Sequence, residues 1–349
     1  MNTTSIMISD CSEGDILASD VYNDNGVKLV SRDTVINLYI KQRLCEHGVA
    51  YLKVYYPSVY EIKNTKDAKF INMMDYYKRS ALCIKNLVNE LASGHRLDYE
   101  KIFYISDLIY RYVDENDNIL KVMDEIRLND EQTYSHSINT AFYCMLIAKW
   151  LKFDVKDIKK AVQSGFLHDI GKSKISTDIL NKKEPLTTAE FDKIKKHPIF
   201  GYYILDENNY LDMDIKRAVL LHHERQNSSG YPFSISSDSM GIFAKIVSIA
   251  DVYDAMTSNR VYKHSVTPFK TFEMFLTDGR CLFDPYLMTQ FINHISVYFI
   301  GSKFILNTGE SGRIVYIPPD DVLSPIVLVN NEYINLGRRK DLSITRTLC

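Results

Sequence analysis

The chain has no Cys-x-x-Cys pair anywhere in its 349 residues, although it carries six cysteines. Cys11, Cys45, Cys83, Cys144, Cys281 and Cys349 are scattered, which argues against a zinc ribbon and against a disulfide framework. Reduced thiols and a cytoplasmic location are the expectation. An excess of charge of either sign is also missing: 42 Lys and Arg stand against 44 Asp and Glu, a formal net charge of −2. No global field then draws the protein to duplex DNA or to an anionic membrane, so any phosphate chemistry must rest on a local cationic site. No apolar run approaches the ~20 residues that a membrane helix needs. Residues 1–13 hold no basic stretch leading into an apolar one. Neither membrane insertion nor a signal peptide is expected.

What is present suits a globular chain, with 46% hydrophobic and 25% charged residues. The length allows a main domain with smaller attachments. Residues 1–57 read as a small α+β unit. The β-prone runs 16–22 and 27–30 flank Asn23-Asp24-Asn25-Gly26, where Asn-Gly suits a tight hairpin turn. A helix capped by Asp33 or Thr34 and ended by Gly48 follows, then a strand over 50–56. Residues 58–129 read as a helical extension, with helices over 71–91, 98–112 and 117–128. The main domain, 130–300, is expected to be a helical bundle. Its helices are predicted over 131–151, 155–170, 188–197, 198–205, 215–223 and 242–257, the last largely apolar as a buried helix would be. Residues 301–349 carry β-prone runs at 304–307, 312–317 and 324–329, divided by Gly, Pro and Asp. The fold class is therefore mainly α, a bundle with a small α+β N-terminal unit and a small β-rich C-terminal unit.

Five of the nine histidines fall within residues 136–223: His136, His168, His197, His222 and His223. Asp169 and Asp251 stand beside them. Imidazole with carboxylate suits divalent first-row metals. Neighbouring residues on a helix project only ~100° apart, so His168-Asp169 and His222-His223 can each turn two ligands toward one cavity. Gly171 reads as a left-handed residue ending its helix, which puts His168 and Asp169 in the last turn. His197 precedes Pro198, a good first helical residue, and so sits at a junction. Singly, each His is more often a surface group or a satisfied core polar group than a ligand. The weight lies in their ordered series.

That series resembles the HD-GYP family, the branch of HD-domain phosphohydrolases associated with bacterial cyclic di-GMP breakdown. The motifs stand as Tyr134-Ser135-His136-Ser137, His168-Asp169-Ile170-Gly171-Lys172, Lys196-His197-Pro198-Ile199-Phe200-Gly201-Tyr202, His222-His223-Glu224-Arg225, Gly230-Tyr231-Pro232 and Asp251-Val252-Tyr253-Asp254-Ala255. The resemblance implies metal ligands at His136, His168, Asp169, His197, His222, His223 and Asp251, holding two divalent ions, Fe or Mn. Relatives with a third metal place a carboxylate four residues before the first His; here that position is Gln132, with Glu131 one further back. The resemblance further implies a cyclic dinucleotide substrate, bound through Lys172, Arg260 and Lys263. The implied chemistry is hydrolysis by a hydroxide shared between two ions that Asp169 bridges, with Asp169 and Lys172 catalytic and linear pGpG or GMP as product.

One stretch departs from the family pattern. The loop that usually reads His-His-Glu-x-x-Asp-Gly-x-Gly-Tyr-Pro has Asn227 in place of Asp and Ser228 in place of the first Gly. Asn227 can still bond backbone groups, whereas Ser228 would strain a turn that requires positive φ. The loop bears on substrate choice and partner contact, which leaves two alternatives: a hydrolase of cyclic GMP-AMP, or an inactive cyclic di-GMP sensor. A homodimer or signalling-protein contact is expected through the N-terminal unit or the Gly230-Tyr231-Pro232 loop.

Overall fold

The computed structural model describes residues 3–11, 15, 17–22, 28–32, 34, 36, 38–55, 77, 80, 81, 83–114, 135–182, 184–207, 210–258 and 266–348. The helix expected over 117–128, together with Glu131, Gln132, Arg260 and Lys263, lies outside these residues. The chain divides into two compact units, Met1–Asn72 and Met73–Cys349.

In the first unit, strand β1 (Thr3–Met7) pairs antiparallel with β4 (Tyr51–Tyr55), Ile6 opposite Leu52. Strand β2 (Val21–Tyr22) pairs antiparallel with β3 (Lys28–Val30), while the expected turn Asn23-Asp24-Asn25-Gly26 lies outside the described residues. The helix Leu38–Glu46 supplies Leu44 to a core with Ile6, Leu17, Ile36, Leu52 and Val54, all buried. Strand β1 has no counterpart in the sequence reading, because Thr3-Thr4-Ser5 carries no apolar alternation.

The second unit is mainly helical. Residues 83–92 and the helix Tyr99–Asp114 precede the bundle proper. The bundle centres on Ser135–Trp150 and Ile242–Thr257, and every residue from Ile138 to Ala148 is buried. A helix covered on all sides needs apolar residues all round, and this one has them. Gly165, in Val155–Leu167, lets that helix approach closely: a Cβ there would lie 2.6 Å from the Ala141 Cα. Several helices start on the caps their sequences offer. Asp154 accepts from the Asp157 amide, and Thr187 forms a capping box with Glu190 ahead of Thr188–Ile194. The shorter helices His197–Asp206, Met213–Leu221, Pro268–Leu276 and Pro285–Ser296 complete the bundle.

The C-terminal residues form one antiparallel sheet in the order β8-β7-β6-β5-β9. Its strands are β5 (Lys303–Leu306), β6 (Ser311–Tyr316), β7 (Ile326–Val329), β8 (Glu332–Asn335) and β9 (Ile344–Leu348). Phe304, Leu306, Ile314, Val327 and Val329 are its buried residues. The first three strands match the runs read from sequence; β8 and β9, being more polar, were not among them.

Candidate metal centre

Each residue of the predicted cage sits at a place the local fold dictates. His168 closes the helix Val155–Leu167, and Asp169 follows it. His197 opens His197–Asp206, three residues after Thr188–Ile194 ends. His222 closes Met213–Leu221, with His223 next. His136 lies in the first turn of Ser135–Trp150, and Asp251 within Ile242–Thr257. The structure brings all seven together. Asp169, His197, His222 and His223 form one group and His136, His168 and Asp251 another, the ligand atoms in each lying within 4.8 Å of one another. The carboxylate of Asp169 joins the two. Its Oδ1 is 3.2 Å from His197 Nε2, while its Oδ2 is 3.3 Å from His168 Nε2 and 3.9 Å from His136 Nε2.

The helix ends also fix which ring nitrogen faces the cage. The last carbonyls of a helix have no intrahelical donor. Here three are taken by histidine Nδ1–H: His168 on Gly165 O at 2.6 Å, His197 on Ile194 O at 2.8 Å and His222 on Val219 O at 2.8 Å. A carbonyl can only accept, so each Nδ1 carries a proton, and Nε2 is the nitrogen left to present a lone pair when the ring is neutral. His136 is fixed differently, with Nδ1 2.7 Å from Asp254 Oδ2 and Nε2 3.1 Å from Asp251 Oδ1.

These lone pairs face one another without donors between them. His197 Nε2 and His222 Nε2 are 3.3 Å apart, and the buried His168 Nε2 and Asp169 Oδ1 have no hydrogen-bond partner. Lone pairs so opposed, beside two buried carboxylates, are an arrangement that divalent cations stabilise. The protonation states divide the ligands. Burial works to lower His136, but Asp251 and Asp254 outweigh it and raise the ring to about 9, so a metal there must displace a proton. His222, His223, Asp169 and Asp251 are already in the binding form. Burial pushes His222 well down, helped by His223, and takes His223 down to about 3 despite the nearby carboxylate of Asp251. Burial works to raise Asp169 and Asp251, but His168 and Lys172 around the first, and His136 and His168 around the second, hold both well below the usual carboxylate range. Neutral imidazoles and ionised carboxylates are the forms that bind metal. The His and Asp clusters could therefore hold metal.

Lys172 reaches Asp169 Oδ2 at 2.6 Å from a half-exposed position. It lies in the 3-10 turn Ile170–Lys174, and Gly171 is in that turn too, without a positive φ. The left-handed cap expected at Gly171 is thus corrected. The residue is glycine because a Cβ would overlap the His197 carbonyl oxygen and the Gly201 amide.

Four further residues shape the site. Asp254, fully buried, orients His136. Glu224, also fully buried, accepts from the backbone amides of Phe233 (2.7 Å), Ser234 (3.1 Å) and Ile235 (3.2 Å) and so ties down the loop behind it. Arg225 donates to the carbonyls of His222 (3.1 Å) and Glu224 (2.9 Å), which a helix end leaves open. Tyr231, joined to Pro232 by a cis peptide, lays its ring 4.6 Å from that of His223. All four lie in motifs that the sequence displays, without their roles being legible there. For Asp254 a signal existed: it stands three residues after Asp251 and so shares its helix face. In the loop, Asn227 accepts from the Ser229 amide and Ser228 takes φ 61°, as the sequence led one to expect.

Residues 121–287 match the family model described as HD domain. The matched segment is a little under half of the chain. The sequence resemblance is to the HD-GYP branch, and the family model matched is that of the wider HD domain. The Pseudomonas aeruginosa protein named cyclic di-GMP phosphodiesterase PA4108 is 28% identical over 72% of this chain and 60% of its own length. A Vibrio cholerae protein named 3'3'-cGAMP-specific phosphodiesterase 2 is 28% identical over 50% of this chain and 34% of its own. The chain spans less than two thirds of the length of these curated relatives. Among solved structures, the HDG"Y"P protein Bd1817 of Bdellovibrio bacteriovorus superposes with a TM-score of 0.54 at 16% identity, over 84% of this chain and 99% of that one. That likeness establishes the fold. No helix among the described residues is long and apolar enough to cross a membrane.

Proposed function

We propose that the chain is a metal-dependent phosphodiesterase that cleaves a cyclic dinucleotide, cyclic di-GMP first, to linear pGpG or GMP. The observation that carries this reading is the pair of His and Asp groups joined by the two oxygens of Asp169. When bound there, two divalent ions, Fe or Mn, supply Lewis acidity and a water acidified toward neutral pH. His136, His168 and Asp251 would hold one ion and His197, His222 and His223 the other, with Asp169 available to both. Lys172 turns its ammonium from Asp169 to a phosphoryl oxygen, and Arg260 and Lys263 neutralise the remaining phosphate charge.

A second reading keeps this chemistry and changes one base. A relative named for cyclic GMP-AMP and one named for cyclic di-GMP match at the same 28% identity, and the loop holding Asn227 and Ser228 departs from the family pattern. The test is turnover of both dinucleotides by protein purified without oxygen and loaded with Fe(II) or Mn(II), with a chelated sample as control. Metal-dependent loss of cyclic di-GMP is expected. Faster loss of cyclic GMP-AMP selects the second reading, and metal-loaded protein that binds a dinucleotide but cuts neither ends both in favour of a sensor.

A further inference from the structure

The ligand His136 stands at the end of a buried chain of hydrogen bonds that leaves the HD segment. Its Nδ1–H donates to Asp254 Oδ2 at 2.7 Å. Asp254 Oδ1 accepts from Asn139 Nδ2 at 3.0 Å and from Ser258 Oγ at 2.9 Å. Asn139 Oδ1 in turn accepts from the Tyr77 hydroxyl at 2.9 Å. The donors converge on one carboxylate: phenol donates to amide and amide to Asp254 from one side, and the imidazole donates to Asp254 from the other. Tyr77 and Asn139 are each 1% exposed, and Asp254 is fully buried. In such surroundings each bond polarises the next, and removing one member unbalances the others. Tyr77 lies more than forty residues before the matched segment 121–287, in the helical stretch that continues through 83–92. Its ring stacks on Phe142 of the bundle at 6.0 Å, so its hydroxyl has a fixed seat.

We infer that Tyr77 and Asn139 are positioning residues for His136, and that they couple the helical stretch preceding the HD segment to one of the two metal positions. The inference rests on the metal-centre reading above but not on the identity of the substrate. The other position is held differently: among the described residues, His197 and His222 there, like His168 beside His136, are set by backbone carbonyls at helix ends. Seating of the upstream helix then acts on metal affinity at the His136 position alone. Coupling of this kind is reciprocal, so metal bound there also steadies the upstream helix.

The test is Mn(II) and Co(II) titration of the full chain, in wild type and in Tyr77→Phe, which deletes one hydroxyl and keeps the stacked ring. His136→Ala identifies the position concerned, and Asp254→Asn serves as a reference for a lost second partner, expected to cost about 10- to 100-fold in affinity there. In Tyr77→Phe that same position should weaken about three- to tenfold, its Co(II) absorption should shift, and the other position should stay within about twofold. Metal loading of wild type should also slow amide exchange over residues 83–92, and do so less in Tyr77→Phe. Unchanged affinity and spectrum in Tyr77→Phe would overturn the inference. Equal weakening at both positions would overturn it too, because that marks a general loosening. None of these readings needs substrate: a chain that hydrolyses nothing yet shows the split affinities retains the coupling and loses the proposed activity.

Discussion

The two halves of the metal centre are held by different means. In the half of His197, His222 and His223, His197 and His222 each spend Nδ1–H on a carbonyl that a helix end leaves open, as His168 does in the half of His136. Their orientation is therefore a property of the backbone, and no substitution of a neighbouring side chain removes the acceptor. His136 depends instead on the carboxylate of Asp254, which depends on Asn139 and Ser258. The first half is built to be fixed. The second half can be altered by a side chain that never touches metal, and among the described residues it is joined by side-chain hydrogen bonds to Tyr77, before the matched segment.

The largest effect should come where the halves meet. Asp169→Ala removes the one carboxylate whose two oxygens face both groups. Turnover should fall by about a thousandfold or more, the size of loss that removing a principal electrostatic stabiliser brings. Metal analysis by mass spectrometry should find less than the wild-type content, and the far-ultraviolet circular dichroism should be unchanged. A mutant that keeps full metal and full activity would end the assignment. The next effect separates the halves. Gly171→Ala pushes a methyl into the His197 carbonyl and the Gly201 amide, overpacking that costs about 1–3 kcal/mol. Urea unfolding should register that loss. Metal titration should show the position of His197 and His222 weakened, with that of His136 nearly intact. Equal weakening of both would mean that the backbone-set half is no more independent than the other.

These differences were legible in the sequence to unequal degrees. The seven cage residues were readable because they recur in a fixed order, and because His168, His197 and His222 fall beside helix-end signals such as Pro198. The long bundle helices were readable from their apolar runs; Ile242–Thr257 falls where its composition placed it. Asp254 was readable as sharing a helix face with Asp251, but not as the group that orients His136. An Asp on a helix is usually solvated, and only packing against His136 and Asn139 reverses that. Gly171 was read for a left-handed conformation, since sequence reports a glycine's freedom but not the close approach of a distant helix. Strands β1, β8 and β9 escaped because their pairing partners, rather than their own alternation, make them strands.

The signature loop offers the smallest effect and the sharpest control on the comparison. Ser228 is exposed at φ 61°, a left-handed conformation that costs a residue with a Cβ about 1–2 kcal/mol. Ser228→Gly removes that strain, while the greater freedom of glycine in the unfolded chain takes part of the gain back. The expected net is a stabilisation of about 0.5–1 kcal/mol in chemical denaturation. Neither half of the cage is touched: Glu224 anchors the loop through the amides of residues 233–235, and Gly230 packs on the backbone of residues 223–225, independently of residue 228. Metal affinities should therefore match wild type at both positions. If they shift together with stability, the loop belongs to the cage mechanically, and Ser228 tunes the metal centre rather than only the rim around it.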